Sequence, residues 1–517
     1  MKKVISLLML LCMIIGVFAG CGGSKDSGGP VTLRWVMPWY MQDDYDMVSE
    51  EINKQLGELL PNTKLELVLD MSMASKWNLW MAGRTPFDIA LSQYTNDLGT
   101  EINKNAYMPL NDLIDEYAPT IKKEMETYEY QYLTGTYNGK LYAIPNIQIH
   151  VNDVIALTLN TKEMAKYLDS KALYAAACAS PKSGDALYSV IDKYLAEIYK
   201  HKELIDTTES APYIDPQTFY NYIAKRGYEF LGTTTSNLCY EVFTKDNSVK
   251  VIDFHETEEF KTYIKWMRKW YEAGYINKDI LSEEAGSGRQ CFLLAQAFDF
   301  SASENGYENF YNDQYRISLS PVEQRYTGAA VLGSLHTYLS IPTTSENPER
   351  AIKLIELLRT KEGADLLNTI VYGIKDVHYE ETSDTEIKGF GYLQQGNADT
   401  PYGLANWMCG THFNMKVIYP YSEATREYAK KYYTELLPTY HKTAIYGLSM
   451  DNNPVRNELT QMKAVCDEYL LRLIGGVTSD YNSVLSTMQQ KMDLAGIDKV
   501  IKEYQSQIND YISSHKK

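Results

Sequence analysis

Two short clusters of rings, amides and carboxylates stand immediately after runs of apolar residues. Trp39, Tyr40, Gln42, Asp43 and Asp44 follow Val31–Met37, and Ser92, Gln93, Tyr94, Asn96 and Asp97 follow Phe87–Leu91. A flat ring packs on the C–H face of a hydroxylated ligand while amides and carboxylates pair its hydroxyls. A buried polar group left unpaired costs about 1–3 kcal/mol, so such a set selects for a pattern of hydroxyls. Covalent chemistry has weaker support. The eight histidines form no HExxH pair, and the chain carries no GxSxG, GxxxxGK[ST] or GxGxxG motif. Gly328–Ser334 has the glycine spacing of a phosphate loop without its lysine. A glycosidase needs only two carboxylates from distant positions, and the chain has 67 acids, so an enzyme acting on glycans stays open as an alternative.

The elements that would position these residues are legible from periodicity. Val31, Leu33, Trp35 and Met37 alternate with Thr32, Arg34 and Val36 up to Pro38, and Leu65, Leu67 and Leu69 alternate in the same way. Both predict strands. Asp46–Leu60 has helix-forming composition and Phe87–Leu91 reads as a third strand. Strand, helix, strand, helix, strand implies a mostly parallel sheet covered by helices, with ligands at the carboxyl ends of its strands. Later, Phe260, Tyr263, Ile264, Met267, Trp270 and Tyr271 predict a helix ending at Gly274, and Asn347-Pro348 predicts a helix start. The C-terminus carries helical stripes from Leu459 to Leu473 and from Ile497 to Ile508. Trp77 and Trp80 are assigned to packing, and Glu380–Gly403 to a long surface loop.

Composition bounds the partners. The 517 residues, 44% apolar and 23% charged, describe an ordinary globular chain of two to four domains. A formal charge of −17 excludes the basic field that nucleic acid requires. Tyr outnumbers Phe 43 to 13, favouring rings that stack and hydrogen-bond at one edge.

Met1-Lys2-Lys3 and the apolar run Val4–Phe18 read as a signal peptide, and Phe18-Ala19-Gly20-Cys21 resembles the lipobox of bacterial lipoproteins, with Phe18 in place of the usual aliphatic residue. That resemblance implies cleavage after residue 20 and acyl chains on Cys21; a second chain makes anchoring stable. Residues 21–30 have the composition of a flexible tether. Of the remaining cysteines, Cys178, Cys239, Cys291, Cys409 and Cys466, the number is odd and no CxxC occurs. They read mostly as small core residues, one disulfide staying open. Asp451, Asn452 and Asn453 lack the spacing of an EF-hand loop, and no metal or cofactor is assigned.

Longer stretches carry a family resemblance. Trp77–Ser92 (WNLWMAGRTPFDIALS), Tyr107–Pro119 (YMPLNDLIDEYAP), Tyr137–Asn146 (YNGKLYAIPN), Val249–Asn277, Ala295–Asn305 (AQAFDFSASEN) and Thr337–Gly363 occur in the order seen in family 1 extracellular solute-binding proteins, the lipid-anchored receptors of ABC importers. The last third, with Tyr372–Tyr379, Asn406–Phe413 and Lys491–Tyr511, is similar to a larger Firmicute subgroup whose C-terminal extension has no assigned function. The resemblance implies an α/β, two-lobe periplasmic-binding-protein-like fold of type II, similar to maltose-binding protein, with hinge strands between lobes. It places the N-terminal lobe at 31–150 and 340–372 and the C-terminal lobe at 151–335 and 400–517.

It further implies capture of an extracellular carbohydrate, an oligosaccharide or glycoside, in an interlobe cleft, without catalysis, and delivery to ABC importer permease subunits. The protein would be a monomer, lipid-anchored on the outer face of a Gram-positive membrane. A peptide or other polar solute is the alternative ligand. The expected ligand residues are Trp39, Tyr40, Asp43, Gln93, Tyr94, Asn146, Gln148, Asp299 and Trp407. Many sugar-binding relatives carry an aromatic where this chain continues Asp299-Phe300-Ser301, so Asp299 or Ser301 would hydrogen-bond a hydroxyl there instead.

Overall fold

The computed structural model describes residues 29–515, apart from 95, 150–153, 180–183, 209, 225, 232–236, 245–247, 283–289, 299–306, 312–313, 321–325, 328–336, 390–400, 419–420 and 449. The signal peptide, Cys21 and most of the tether lie outside the described residues.

The chain opens with β1 (Val31–Met37), α1 (Tyr45–Leu59), β2 (Thr63–Leu69), α2 (Met73–Ala82), β3 (Ile89–Ser92) and α3 (Leu98–Asn103), then reaches the short strand β4 (Ile144–Pro145). β1 pairs in parallel with β2 and with β3, as the alternating strand and helix order requires. The period-two pattern sorts side chains onto two faces. Leu33, Trp35, Met37, Ile89 and Leu91 enter one core, while Val36 and Ala90 enter another with Trp77, Phe87 and Tyr107. Trp77 is fully buried and donates its indole N–H to Glu101, 3.0 Å away; Trp80 packs on the same core half-buried.

A second sheet follows, built from β5 (Val154–Leu159), β6 (Ser210–Ile214), β7 (Gln290–Phe298), β8 (Glu308–Tyr311) and β9 (Gln314–Ser318) in the order β8-β9-β5-β7-β6. Only β7 and β6 run parallel; the other pairs are antiparallel. Between β6 and β7 lies α4 (Glu258–Ala273). Its Phe260, Tyr263, Ile264, Met267 and Trp270 are buried, each contributing about 1.5–3 kcal/mol by removal from water. Thr257 caps its first turn, accepting from the Phe260 N–H, and Gly274 ends it in the left-handed region at φ 82°, where a Cβ is unfavourable.

The chain then re-enters the first sheet as β10 (Tyr338–Ser340), antiparallel to β3 and β4, giving the order β2-β1-β3-β10-β4. A strand arriving from the other sheet enters in the opposite sense, which is why the first sheet is mixed rather than wholly parallel. α5 (Pro348–Leu357) and α6 (Ala364–Tyr372) cover it. Of the expected surface loop Glu380–Gly403, residues 390–400 lie outside the described residues, and its start forms strands instead. Tyr379–Glu381 and Glu386–Gly389 pair as a hairpin, joined by Val417–Ile418.

The expected grouping of residues 400–517 with the second lobe also differs from the packing. Tyr402, Leu404, Met408, Val417, Tyr433 and Tyr440 are buried in the first lobe's core. Only from Ile445 does the chain join the second core, through α7 (Arg456–Ile474), α8 (Tyr481–Ala495) and α9 (Ile497–His515). The apolar residues of 402–440 have the same composition in either lobe, and sequence gives no signal of which core they enter. Among the described residues, no helix is long and apolar enough to cross a membrane.

Candidate functional site

Pro38 ends β1, because it has no N–H to continue the ladder, and the chain turns outward. The turn is pinned by residues more than 350 positions away. Trp39 donates its indole N–H to the Gly403 carbonyl at 2.9 Å, the Gly403 N–H donates to Gln42 Oε1 at 3.0 Å, and the Asp44 N–H donates to the Pro401 carbonyl at 2.9 Å. The His378 imidazole, 2% exposed, lies 3.3 Å from Asp44 Oδ2 and braces the same loop. Tyr40 is 46% exposed and meets Trp39 edge-on, ring centroids 6.1 Å apart. Asp43 is exposed.

At the end of β3, Gln93 occupies the left-handed region at φ 71°, and its Oε1 accepts the Leu98 N–H at 2.8 Å. Its amide therefore holds the start of α3. Tyr94 points elsewhere: it is 59% exposed, and its ring centroid lies 4.7 Å from that of Trp407, planes at 48°.

Asn146, 1% exposed, follows β4 and is bound to Thr337 twice. Its N–H donates to the Thr337 carbonyl at 2.9 Å and its Nδ2 to Thr337 Oγ1 at 3.1 Å. The Thr337 hydroxyl in turn donates to the Trp407 carbonyl. Gln148 is half-buried, with its carbonyl accepting the Tyr433 hydroxyl at 3.0 Å. The adjoining Ile147 and Thr411 form a β-bridge, and the Ile149 N–H donates to His412 Nδ1 at 3.3 Å.

The structure thus links Trp39, Tyr40, Tyr94, Asn146 and Trp407 through one segment, 401–411, laid along the ends of β1, β3 and β4. Asp299 and Ser301 lie outside the described residues. Two expected contacts also serve the scaffold: Gln93 Oε1 bonds within its own loop, and Asn146 Nδ2 bonds the remote Thr337. Thr337 and Gly403, which position the rings, were not among the expected site residues. No local signal marks Thr337 or Gly403, whose partners are remote in sequence.

A separate depression of about 270 Å³ lies on the first lobe, lined by residues that include Lys123, Glu124, Tyr128, Arg359, Phe413 and Asn414. The Tyr128 and Phe413 rings stack 5.5 Å apart, and burial raises the Tyr128 phenol above its ordinary pKa. None of the expected ligand residues lines it.

Comparison with known proteins matches this arrangement over nearly the full chain. A carbohydrate ABC transporter substrate-binding protein of Streptococcus pneumoniae is 21% identical over 510 residues, covering 96% of this chain and 94% of that protein. The crystal structure of an N-glycan transport solute binding protein (NgtS), also from S. pneumoniae, superposes with a TM-score of 0.72 at 17% identity, over 95% of this chain and all of that one. The chain has the fold of a solute-binding protein over nearly its whole length. A polygalacturonan/rhamnogalacturonan-binding protein, YtcQ of Bacillus subtilis, is 23% identical over 73% of this chain and 74% of its own length. Residues 444–513 match a family described as "Domain of unknown function (DUF3502)". That family spans the leading turn and helices α7–α9 of this chain.

Proposed function

We propose that this protein captures an extracellular carbohydrate, an oligosaccharide or glycoside, in a cleft between its lobes and delivers it unmodified to ABC importer permease subunits. The observation that carries the reading is the tilted pair Tyr94 and Trp407, part-open to solvent, with Trp407 hung on a segment fixed by hydrogen bonds. Rings held at the carboxyl edge of a sheet supply stacking faces at little entropic cost, because the backbone beneath them is already ordered. The names of the S. pneumoniae and B. subtilis relatives, all referring to carbohydrates, agree with that chemistry.

The ligand residues in this reading are Trp39, Tyr40, Asp43, Tyr94, Gln148, Asp299 and Trp407. Asn146 positions Trp407 through Thr337, and Gln93 holds the start of α3. Contacts made by both lobes exist only when they close, so ligand shifts the open and closed populations and the importer distinguishes loaded from empty protein by shape. The protein works as a monomer on the outer face of the membrane, held by acyl chains on Cys21.

The test is an oligosaccharide panel added to the chain from Val31 onward, with tryptophan fluorescence and product formation followed together. Saturable quenching with the sugar recovered intact is expected. Turnover of the sugar would show an enzyme, and absence of both quenching and thermal stabilisation with every sugar would redirect the ligand to peptides or other polar solutes.

A further inference from the structure

The third passage between the two cores is made by residues 440–448, and its side chains divide between them. Tyr440 is buried in the first core, Ile445 in the second; Tyr446 packs back against the first and Leu448 against the second. Consecutive residues thus hold on to different lobes. On the first-lobe side, the Lys442 ammonium sits 5.2 Å from the ring centroid of Tyr130 and 5.3 Å from that of Tyr446, and the two rings lie 5.3 Å apart. Tyr130 is itself buried in the first core, so this cation and ring set clips the passage to that lobe.

On the other side, the Tyr446 carbonyl accepts the hydroxyl of Tyr511 in α9. Gly447 is in the left-handed region at φ 87°, and a Cβ there would meet Tyr511 Oη at 3.1 Å and Leu133 of the first lobe at 3.8 Å. The helices behind it are fastened to the second lobe. Gln505 bonds both the Val251 N–H and the Val249 carbonyl at 2.9 Å, and Arg268 of α4 donates to the Gly476 and Val477 carbonyls at 3.0 Å.

From this arrangement we infer that the C-terminal family domain anchors the pivot of the two lobes. Its three helices ride with the second lobe, while its leading turn is clipped to the first by Tyr130, Lys442 and Tyr446. The clip narrows the range of lobe orientations sampled without ligand, so that less conformational freedom is lost on closure. This inference concerns the hinge alone and holds whatever solute the cleft takes.

Lys442→Met keeps the apolar stem and removes the charge; Tyr446→Leu removes the ring. In ligand-free protein, each is expected to broaden the small-angle scattering distance distribution. Each should also speed amide hydrogen exchange at 441–448 by about fivefold or more, with exchange elsewhere in the first core unchanged. Lys442→Arg and Tyr446→Phe, which preserve the cation and the ring, should restore both readouts. Scattering and exchange in Lys442→Met indistinguishable from the parent would overturn the inference. So would failure of the Arg variant to restore them, or accelerated exchange throughout the first core, which would make these residues ordinary packing.

Discussion

Gln93 and Tyr94 adjoin in sequence, and the structure gives them opposite roles. Gln93 Oε1 accepts the first free N–H of α3, whereas Tyr94 presents an exposed ring against Trp407. Gln93→Ala should therefore cost about 1 kcal/mol of stability, the usual net value of such a bond, and leave the protein able to bind sugar. Tyr94→Ala should leave the melting temperature within a degree or two and weaken sugar binding about tenfold, read by fluorescence titration. Equal effects of both on affinity would return Gln93 to the ligand contacts. The cysteines divide in the same residue-by-residue way. Cys239, Cys409 and Cys466 are buried, and burial pushes the Cys466 thiol up to about 11 and the Cys409 thiol higher still. At pH 8 a thiol at about 11 is roughly one part in a thousand thiolate, the reactive form. Native iodoacetamide labelling should therefore stop at the half-buried Cys178 and Cys291, with the other three modified only after denaturation. Labelling of Cys466 should rise as pH approaches 11.

At the scale of elements, the two helix starts read from sequence behave differently. Thr257 caps α4 through a hydrogen bond from the Phe260 N–H at 3.2 Å, so Thr257→Ala should cost about 1 kcal/mol in denaturant unfolding. Asn347, at the equivalent place before α5, makes no capping bond; its Nδ2 lies 3.5 Å from Asp88 Oδ1. Asn347→Ala should cost only a few tenths of a kcal/mol in the same experiment. Strands β1, β2 and β3 were legible because alternation is a local property that each segment carries alone. The hairpin at Tyr379–Gly389 was not, because its residues are turn-rich and its apolar partner, Val417–Ile418, comes some thirty positions later. The buried faces of α4 and of the C-terminal helices were legible as stripes, though not the lobe on which each would settle.

At the scale of the whole molecule, a buried ion pair stands where the chain leaves the first lobe. Arg359 has a fully buried side chain, pairs with Glu124, and donates to the carbonyl of Pro145, the last residue of β4, at 2.5 Å. Although burial alone would lower it, the neighbouring Glu124 carboxylate holds the Arg359 guanidinium above its ordinary pKa. Glu124→Ala would strand a buried cation, at a cost of about 3–5 kcal/mol. The expected outcome is a clear fall in the melting temperature of the first lobe, with Tyr94 and Trp407 untouched in the sequence. A melting curve unchanged from the parent would mean that Arg359 had escaped to water.

What the amino-acid order determined by itself was whatever depends on near neighbours: the opening strands and helices, the turn at Pro38, the ring-bearing positions after β1 and β3, and the long C-terminal helices. Tertiary structure alone decided which lobe claims 402–440, that Gln93 and Asn146 serve the scaffold, and that Thr337 and Gly403 hold the rings in place. The physical reason is one of range. Periodicity and capping act over a few residues, whereas the bonds that set the site join positions such as Trp39 and Gly403, which come together only after the chain has built a second lobe and returned.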